Sequence, residues 1–376
     1  MDNIMDYLNW RGDLTFEQDE INEVDNLIFC ELSYLNINTS GGSTLEEVAN
    51  RYFQNDTLNE KERKSTSLIT RIEGLLRKAS NTNRFRKVVV SDFISKFDEI
   101  KEVQFCAMCF KFKDDSIYIA FRGTDDTLVG FKEDFNMSFS TSIYGQEYSA
   151  KYLRSIMKKY KKEKIFVGGH SKGGNFAVYS VMGLDDKNIN RVEIVYNNDG
   201  PGFSSEVVIS SKYKKTVKKV KKIMPKSSVV GILMKDNENR KLINAIGSTG
   251  FIQHDGFNWE VKGNKFVEEK RLTKDIVFID KTLKHWLENT SDEEKAAFVD
   301  EFYELIIKTT KAKRISEISN KRLKVAIKIL MEMSDLEPEK RELMLKMISQ
   351  FVKSGSQIIK SQERKKKNRK RFLREL

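Results

Sequence analysis

The chain has 376 residues, 39% of them hydrophobic, with 67 Lys and Arg against 55 Asp and Glu, a net charge of +12. That length holds one large α/β domain with an extension, or two domains, with a basic surface. Three cysteines exclude a disulfide framework, no apolar run of about 18 residues offers a membrane span, and the acidic opening Met1–Asp6 lacks the apolar stretch of a secretion signal, so a cytoplasmic location is expected.

The first predicted element follows a turn near Asp13. It is an amphipathic helix with Val24, Leu27, Ile28, Leu32 and Leu35 toward a core. A second helical stretch follows Ser43, with Leu45, Val48, Ala49 and Phe53 on one side. Residues 54–66 are polar and read as a loop, and helical spacing resumes from Ser67 to Leu76. Helices this early suggest a cap or buttress on a later sheet. From Glu102 the pattern turns to strands: Val103–Lys111 and Ser116–Arg122 are predicted to form a hairpin around Lys113–Asp115. Cys106 and Cys109 make a C-x-x-C on the first strand, where their spacing points the thiols to opposite faces. No second cysteine pair or histidine cluster completes a metal site, so buried strand cysteines are expected. Thr127–Phe135 carries apolar residues that suit a lid over an acyl group or a plain surface helix. Glu147–Tyr160 is predicted as a helix with Tyr148, Tyr152, Leu153, Ile156 and Met157 inward.

The next stretch organises the chain. A short β-rich run, Ile165–Val167, meets Gly169-His170-Ser171-Lys172-Gly173, and a helix-like segment runs through Ala177–Met182. Strand, G-x-S-x-G and helix in that order form a nucleophile elbow. The turn leaves no room for side chains beside the serine, so Gly169 and Gly173 let the backbone pass. It also places the hydroxyl at a helix N-terminus, where free N–H groups can receive an oxyanion. Read blandly, the same pattern is a Gly-rich turn with an unreactive serine.

Val192–Asn197 is predicted as a strand leading into Asn197–Phe203. Residues Ser210–Lys222 are heavily basic. Val229–Met234 reads as a strand, and Phe251–Val261, which holds His254, as a strand-and-loop element. From Thr282 the composition is helical. Ser291–Glu294 has the form of a capping box opening a helix with Phe298, Phe302, Leu305 and Ile306. Arg322–Met333 and Glu339–Val352 continue the helical pattern, and Glu363–Arg374 is a basic tail.

A serine needs a base to be nucleophilic at neutral pH. The chain has three histidines. His170 precedes the serine, and its side chain should point away from Oγ, in a packing or positioning role. His285 sits in a helix among apolar neighbours and reads as structural. His254 remains, late in the chain, where such folds deliver the base. Carboxylates between Ser171 and His254 include Asp199 and Asp236. Asp199 stands at the end of the strand after the elbow and is the preferred acid, with a turn-forming role before Gly200 as the alternative. The N–H of Lys172 is one expected oxyanion donor, and Thr124, through its N–H and Oγ, is the second.

With these residues in view, the chain resembles class 3 lipase-like α/β-hydrolases, in a bacterial branch of that group. Phe121–Asp126, Gly168–Gly174, Asn198–Phe203, Gln253–Trp259 and Gly12–Gln18 carry the resemblance, which spans roughly residues 5–290. It implies Ser171 as nucleophile, His254 as base, Thr124 and Lys172 as oxyanion donors, and an α/β-hydrolase fold with an N-terminal helical segment and a C-terminal helical extension. The expected layout is a lipase-like domain over 1–290, a helical extension over 291–362 and a basic tail over 363–376. Secreted members carry the acid after a later strand. Here that place falls in Pro225–Gly231, where a serine stands, so either Asp199 supplies the acid or the triad is incomplete.

The expected activity is ester hydrolysis of a lipid or other acyl ester through an acyl-enzyme, with no cofactor and no metal. The alternative is a catalytically weak or inactive fold that binds a partner. Lys212–Lys222 and Arg364–Arg374 could meet an anionic membrane. No nucleic-acid motif accompanies them, so nucleic acid is not expected.

Overall fold

Strands β3 (Val103–Lys111) and β4 (Ser116–Phe121) are buried along almost their whole length. A strand covered on both faces reads as a continuous apolar run, which is why this hairpin is legible. It lies within an eight-stranded sheet whose order follows the chain: β1 (Ser43–Thr44), β2 (Val89–Asp98), β3, β4, β5 (Lys164–His170), β6 (Val192–Asn198), β7 (Val220–Pro225) and β8 (Asn239–Ile243). Neighbours from β1 to β4 pair antiparallel, and those from β4 to β8 pair parallel. Parallel neighbours need crossovers, and helices Tyr144–Lys159 and Lys172–Met182 make two of them. This is an α/β-hydrolase type of fold.

The structure, a computed structural model, describes the chain except residues 38–40, 55–66, 126, 138–139, 141, 248–249, 312–327, 330 and 376, with residues 67, 131, 251 and 362–375 described by backbone alone. It divides into two compact units, Met1–Arg271 and Leu272–Leu376. Of the loop predicted at 54–66, Gln54 closes helix Leu45–Gln54 and the rest lies outside the described residues, as do much of the helical stretch at Arg322–Met333 and the side chains of the basic tail.

Period-two alternation sorts the first unit into two cores. Tyr118 and Ala120 of β4 join Met108 and Phe110 of β3 under helix Glu23–Leu32, with Val24, Leu27 and Ile28. Ile117, Ile119 and Phe121 join Phe105 and Cys109 on the other face, against Leu153, Phe176 and Val181. The two thiols divide accordingly: Cys106 lies near the Ser33 carbonyl at 3.8 Å, and Cys109 lies in the second core. The N-terminal helices therefore buttress one face, as expected.

Four readings need correction. Strands begin before Glu102, with the two-residue β1 at Ser43 and the full strand β2 from Val89, because β1 is too short to show alternation and β2 carries polar residues and a bulge between Ser91 and Ile94 that hide its own. The basic run ends in strand β7, where Lys222 is buried and pairs with Asp236 at 2.6 Å. Val229–Met234 is not a strand: Val230–Ile232 forms a 3₁₀ turn, and Asn239–Ile243 takes the place beside β7. Around His254 the chain forms a short helix, Gly250–His254, and a 3₁₀ turn, Gly256–Asn258, rather than a strand and loop.

The second unit contains helices Lys274–Glu288, Asp292–Thr310 and Pro338–Glu375. Ser291 and Glu294 form the predicted capping box. Leu305, Met333 and Met344 make a small core with Phe298 and Phe302. The first helix, assigned from sequence to the hydrolase domain, belongs to this unit, and its His285 faces Ser354 Oγ at 3.0 Å. Among the described residues, no helix is long and apolar enough to cross a membrane.

Candidate active site

Strand β5 ends at His170, and the elbow helix begins at Lys172. Between them, Ser171 has φ 59° and ψ −133°, in a region that side chains rarely occupy. Its N–H donates to the Asn198 carbonyl at 2.9 Å, and its own carbonyl accepts from Gly174 at 2.9 Å. The flanking glycines are required for space. A Cβ on Gly169 would fall 2.1 Å from the Gly173 carbonyl carbon, and one on Gly173 would fall 2.1 Å from the Phe121 oxygen.

Asp199 directly follows β6 and is fully buried, also with positive φ, at 53°. Its N–H donates to Ile223 O at 2.7 Å, which ties the turn to β7. His254, at the end of its short helix, brings Nδ1 to 2.6 Å from Asp199 Oδ2. Ser228 Oγ donates to the same oxygen at 2.5 Å. The serine at the later position therefore hydrogen-bonds the carboxylate delivered by the preceding strand. Asp236, the other acid considered, is instead buried with Lys222 and Arg240, at 2.6 and 2.9 Å.

Several contacts hold the His254 segment. Gln253 Oε1 accepts from Ser227 N at 3.1 Å, and Trp259 Nε1 donates to Gln253 O at 3.0 Å. Asp255 pairs with Arg71 at 2.6 Å. His170, beside the elbow serine, stacks its ring on that of His254 at 4.6 Å between centroids, and its Nε2 lies 2.8 Å from the His254 carbonyl. Sequence reasoning assigned His170 a packing or positioning place; its partner could not be named from sequence.

The oxyanion-side residues are also close. A Cβ on Gly123 would fall 3.0 Å from Ser171 Cβ, so the backbone entering Thr124 passes directly beside the serine. The Thr124 hydroxyl is committed, donating to Asp134 Oδ2 at 2.6 Å. That corrects the expectation of two donors from Thr124 and leaves its N–H. The Lys172 side chain runs inward, fully buried, and its Nζ lies 2.6 Å from Glu133 Oε2 and 3.6 Å from Asp134 Oδ1. Burial pulls the ammonium pKa down, but Glu133 and Asp134 outweigh it and leave it raised. Burial also lifts Asp134 to about 6, against the pull of Lys172.

These contacts belong to helix Leu128–Asn136, capped by Thr127 Oγ1 on Gly130 N at 3.2 Å. Its Leu128 and Val129 are buried. The segment that suits a lid or a surface helix is a helix pinned to the elbow by a buried ion pair. A cavity of about 210 Å³ lined by Phe16, Phe112, Lys164 and Phe166 lies at the start of β5, away from Ser171.

The family described as Mbeg1-like matches residues 79–304, more than half of the chain, and the chain belongs to that family. The match does not extend to a bacterial branch. No curated protein matches. Among solved structures, the chain is similar to Lip2 lipase from Yarrowia lipolytica, 15% identical over 44% of this chain and 68% of that one, TM-score 0.33. A Rhizomucor miehei lipase propeptide complex is 15% identical over 59% and 81%, TM-score 0.33. A triacylglycerol lipase whose catalytic centre is described as a serine protease triad is 13% identical over 61% and 82%, TM-score 0.37. The fold assignment rests on this chain's own sheet and elbow.

Proposed function

We propose that the protein is a serine ester hydrolase, lipase- or carboxylesterase-like, that acts on a lipid or other acyl ester through an acyl-enzyme at Ser171. The observation that carries this reading is the His254 Nδ1 to Asp199 Oδ2 contact of 2.6 Å at the end of the sheet where the Ser171 turn is held. With Nδ1–H donating to Asp199, the imidazole keeps a lone pair on Nε2. Nε2 takes the Ser171 proton as Oγ attacks the ester carbonyl carbon. The tetrahedral oxyanion accepts from the N–H groups of Lys172 and Thr124. The carbon–oxygen bond to the alcohol then breaks, and the imidazolium protonates the departing oxygen. Water, activated by the same nitrogen, releases the acid and restores Ser171.

Asp199 is the acid in this scheme, and Ser228 is its second donor. The chemistry is complete without a cofactor. The expected result is covalent labelling by a fluorophosphonate probe that Ser171→Ala abolishes, together with hydrolysis of a p-nitrophenyl ester. Folded protein that resists the probe, or a Ser171→Ala variant that labels as fast as wild type, overturns the proposal.

A further inference from the structure

Two buried polar atoms behind the His254 ring lack partners among the described residues: His170 Nδ1 and Glu31 Oε1. They face one another at 3.5 Å, with side chains 8% and 2% exposed. We propose that Glu31 acts as a neutral carboxylic acid that donates its proton to His170 Nδ1, so that His170 is fixed in the tautomer that holds the His254 backbone and stacks on its ring. Glu31 and His170 are then positioning residues for the base. The inference rests on the reading of His254 as that base.

The argument is one of donors and acceptors. His170 Nε2 lies 2.8 Å from a carbonyl oxygen, which can only accept, so Nε2 carries the hydrogen. A neutral ring then leaves Nδ1 with a lone pair. An ionised Glu31 would oppose that lone pair with another, and both atoms would stay unsatisfied in a buried site, a costly outcome. A protonated Glu31 satisfies both, with closure of roughly 0.5 Å to reach an ordinary hydrogen-bond distance. The local charges agree. Burial, then the charge of Asp255, lifts Glu31 to about 8, and Arg71 pulls the other way. Burial, then the neighbouring His254, lowers His170 to about 3. Tyr34 and Cys30, also beside Glu31, are both held in their neutral forms chiefly by burial. Gly256 follows from the same packing, since a Cβ there would fall 2.6 Å from Glu31 Oε1.

Ionisation of Glu31 removes the donated proton. Positioning is present below the raised pKa and lost above it. In the full-length protein, the rate of fluorophosphonate labelling should fall as pH rises past about 8. Glu31→Leu, of similar size, should label about tenfold more slowly across the range, the worth of one net hydrogen bond. Glu31→Gln, whose amide N–H₂ donates at every pH, should rescue most of that loss and lack the alkaline fall. Imidazole ¹⁵N NMR should record His170 as the Nε2–H tautomer, with Nδ1 shifting near pH 8 in wild type and not in Glu31→Gln. An alkaline fall of equal size in Glu31→Gln, or an Nδ1–H tautomer of His170, overturns the proposal. If wild type does not label at all, the nucleophile reading fails instead, and the tautomer measurement alone decides the pairing.

Discussion

A single oxygen, Asp199 Oδ2, receives both His254 Nδ1 at 2.6 Å and Ser228 Oγ at 2.5 Å. The other oxygen, Oδ1, has no partner among the described residues and lies against Gly231, where a Cβ would fall 2.2 Å away. The carboxylate is thus held from one side by donors and from the other by a missing side chain. Asp199→Asn would put an amide where both neighbours donate, and acylation should slow by about four orders of magnitude, as for the orienting acid of a serine protease. Ser228→Ala removes one donor and keeps the His254 contact, and should cost on the order of tenfold. Stopped-flow ester hydrolysis measures both; a near-wild-type rate for Asp199→Asn removes Asp199 from the mechanism. In the proposed scheme, G-x-S-x-G points to Ser171 and the scarcity of histidine points to His254. Asp199 was only a preference among several carboxylates. Glu31 gave no signal, because its meeting with His170 joins positions 139 residues apart with no motif at the earlier one.

Helix Leu128–Asn136 owes its position to a lysine that belongs to another element. Lys172 Nζ reaches Glu133 and Asp134, and the Thr124 hydroxyl reaches Asp134, so one buried cluster joins the helix, the oxyanion strand end and the elbow. Lys172→Met keeps the stem and removes the charge. It leaves the buried Glu133 carboxylate, and the half-buried Asp134 beside it, without their cation and should cost about 3–5 kcal/mol in urea unfolding. A cost under about 1 kcal/mol would mean that the helix is not pinned there and would restore the lid reading. Sequence spacing located this helix but could not give its anchor. The same limit explains β7 and Val230–Ile232. Lys222 looks like surface charge until Asp236 is found beside it. Val229–Met234 looks like a strand because apolar β-branched runs suit any buried conformation.

Across the first unit, burial works on titratable groups in both directions, and the balance sets how stability follows pH. Burial raises Glu31 to about 8 and Asp134 to about 6, and it also raises Glu238. A raised carboxyl binds more protons folded than unfolded, so its contribution is complete below the ordinary carboxyl pKa and lost as pH climbs through the folded value. His170 runs the other way: held down at about 3, it contributes fully above its ordinary value of 6.5 and loses that contribution as pH falls. Below pH 6.5 these effects partly offset. Between 6.5 and about 8 His170 no longer compensates, and Glu31 loses roughly 1 kcal/mol per pH unit. Thermal melts of wild type should therefore fall across that window. Glu31→Gln has nothing to ionise at that position and should make the fall shallower, leaving the part due to Glu238, with a gain of about 1.5 kcal/mol on wild type between pH 6.5 and 8. Parallel curves for the two proteins would show that Glu31 is already charged in the folded state. The orphaned imidazole nitrogen beside it would then have to find its proton elsewhere.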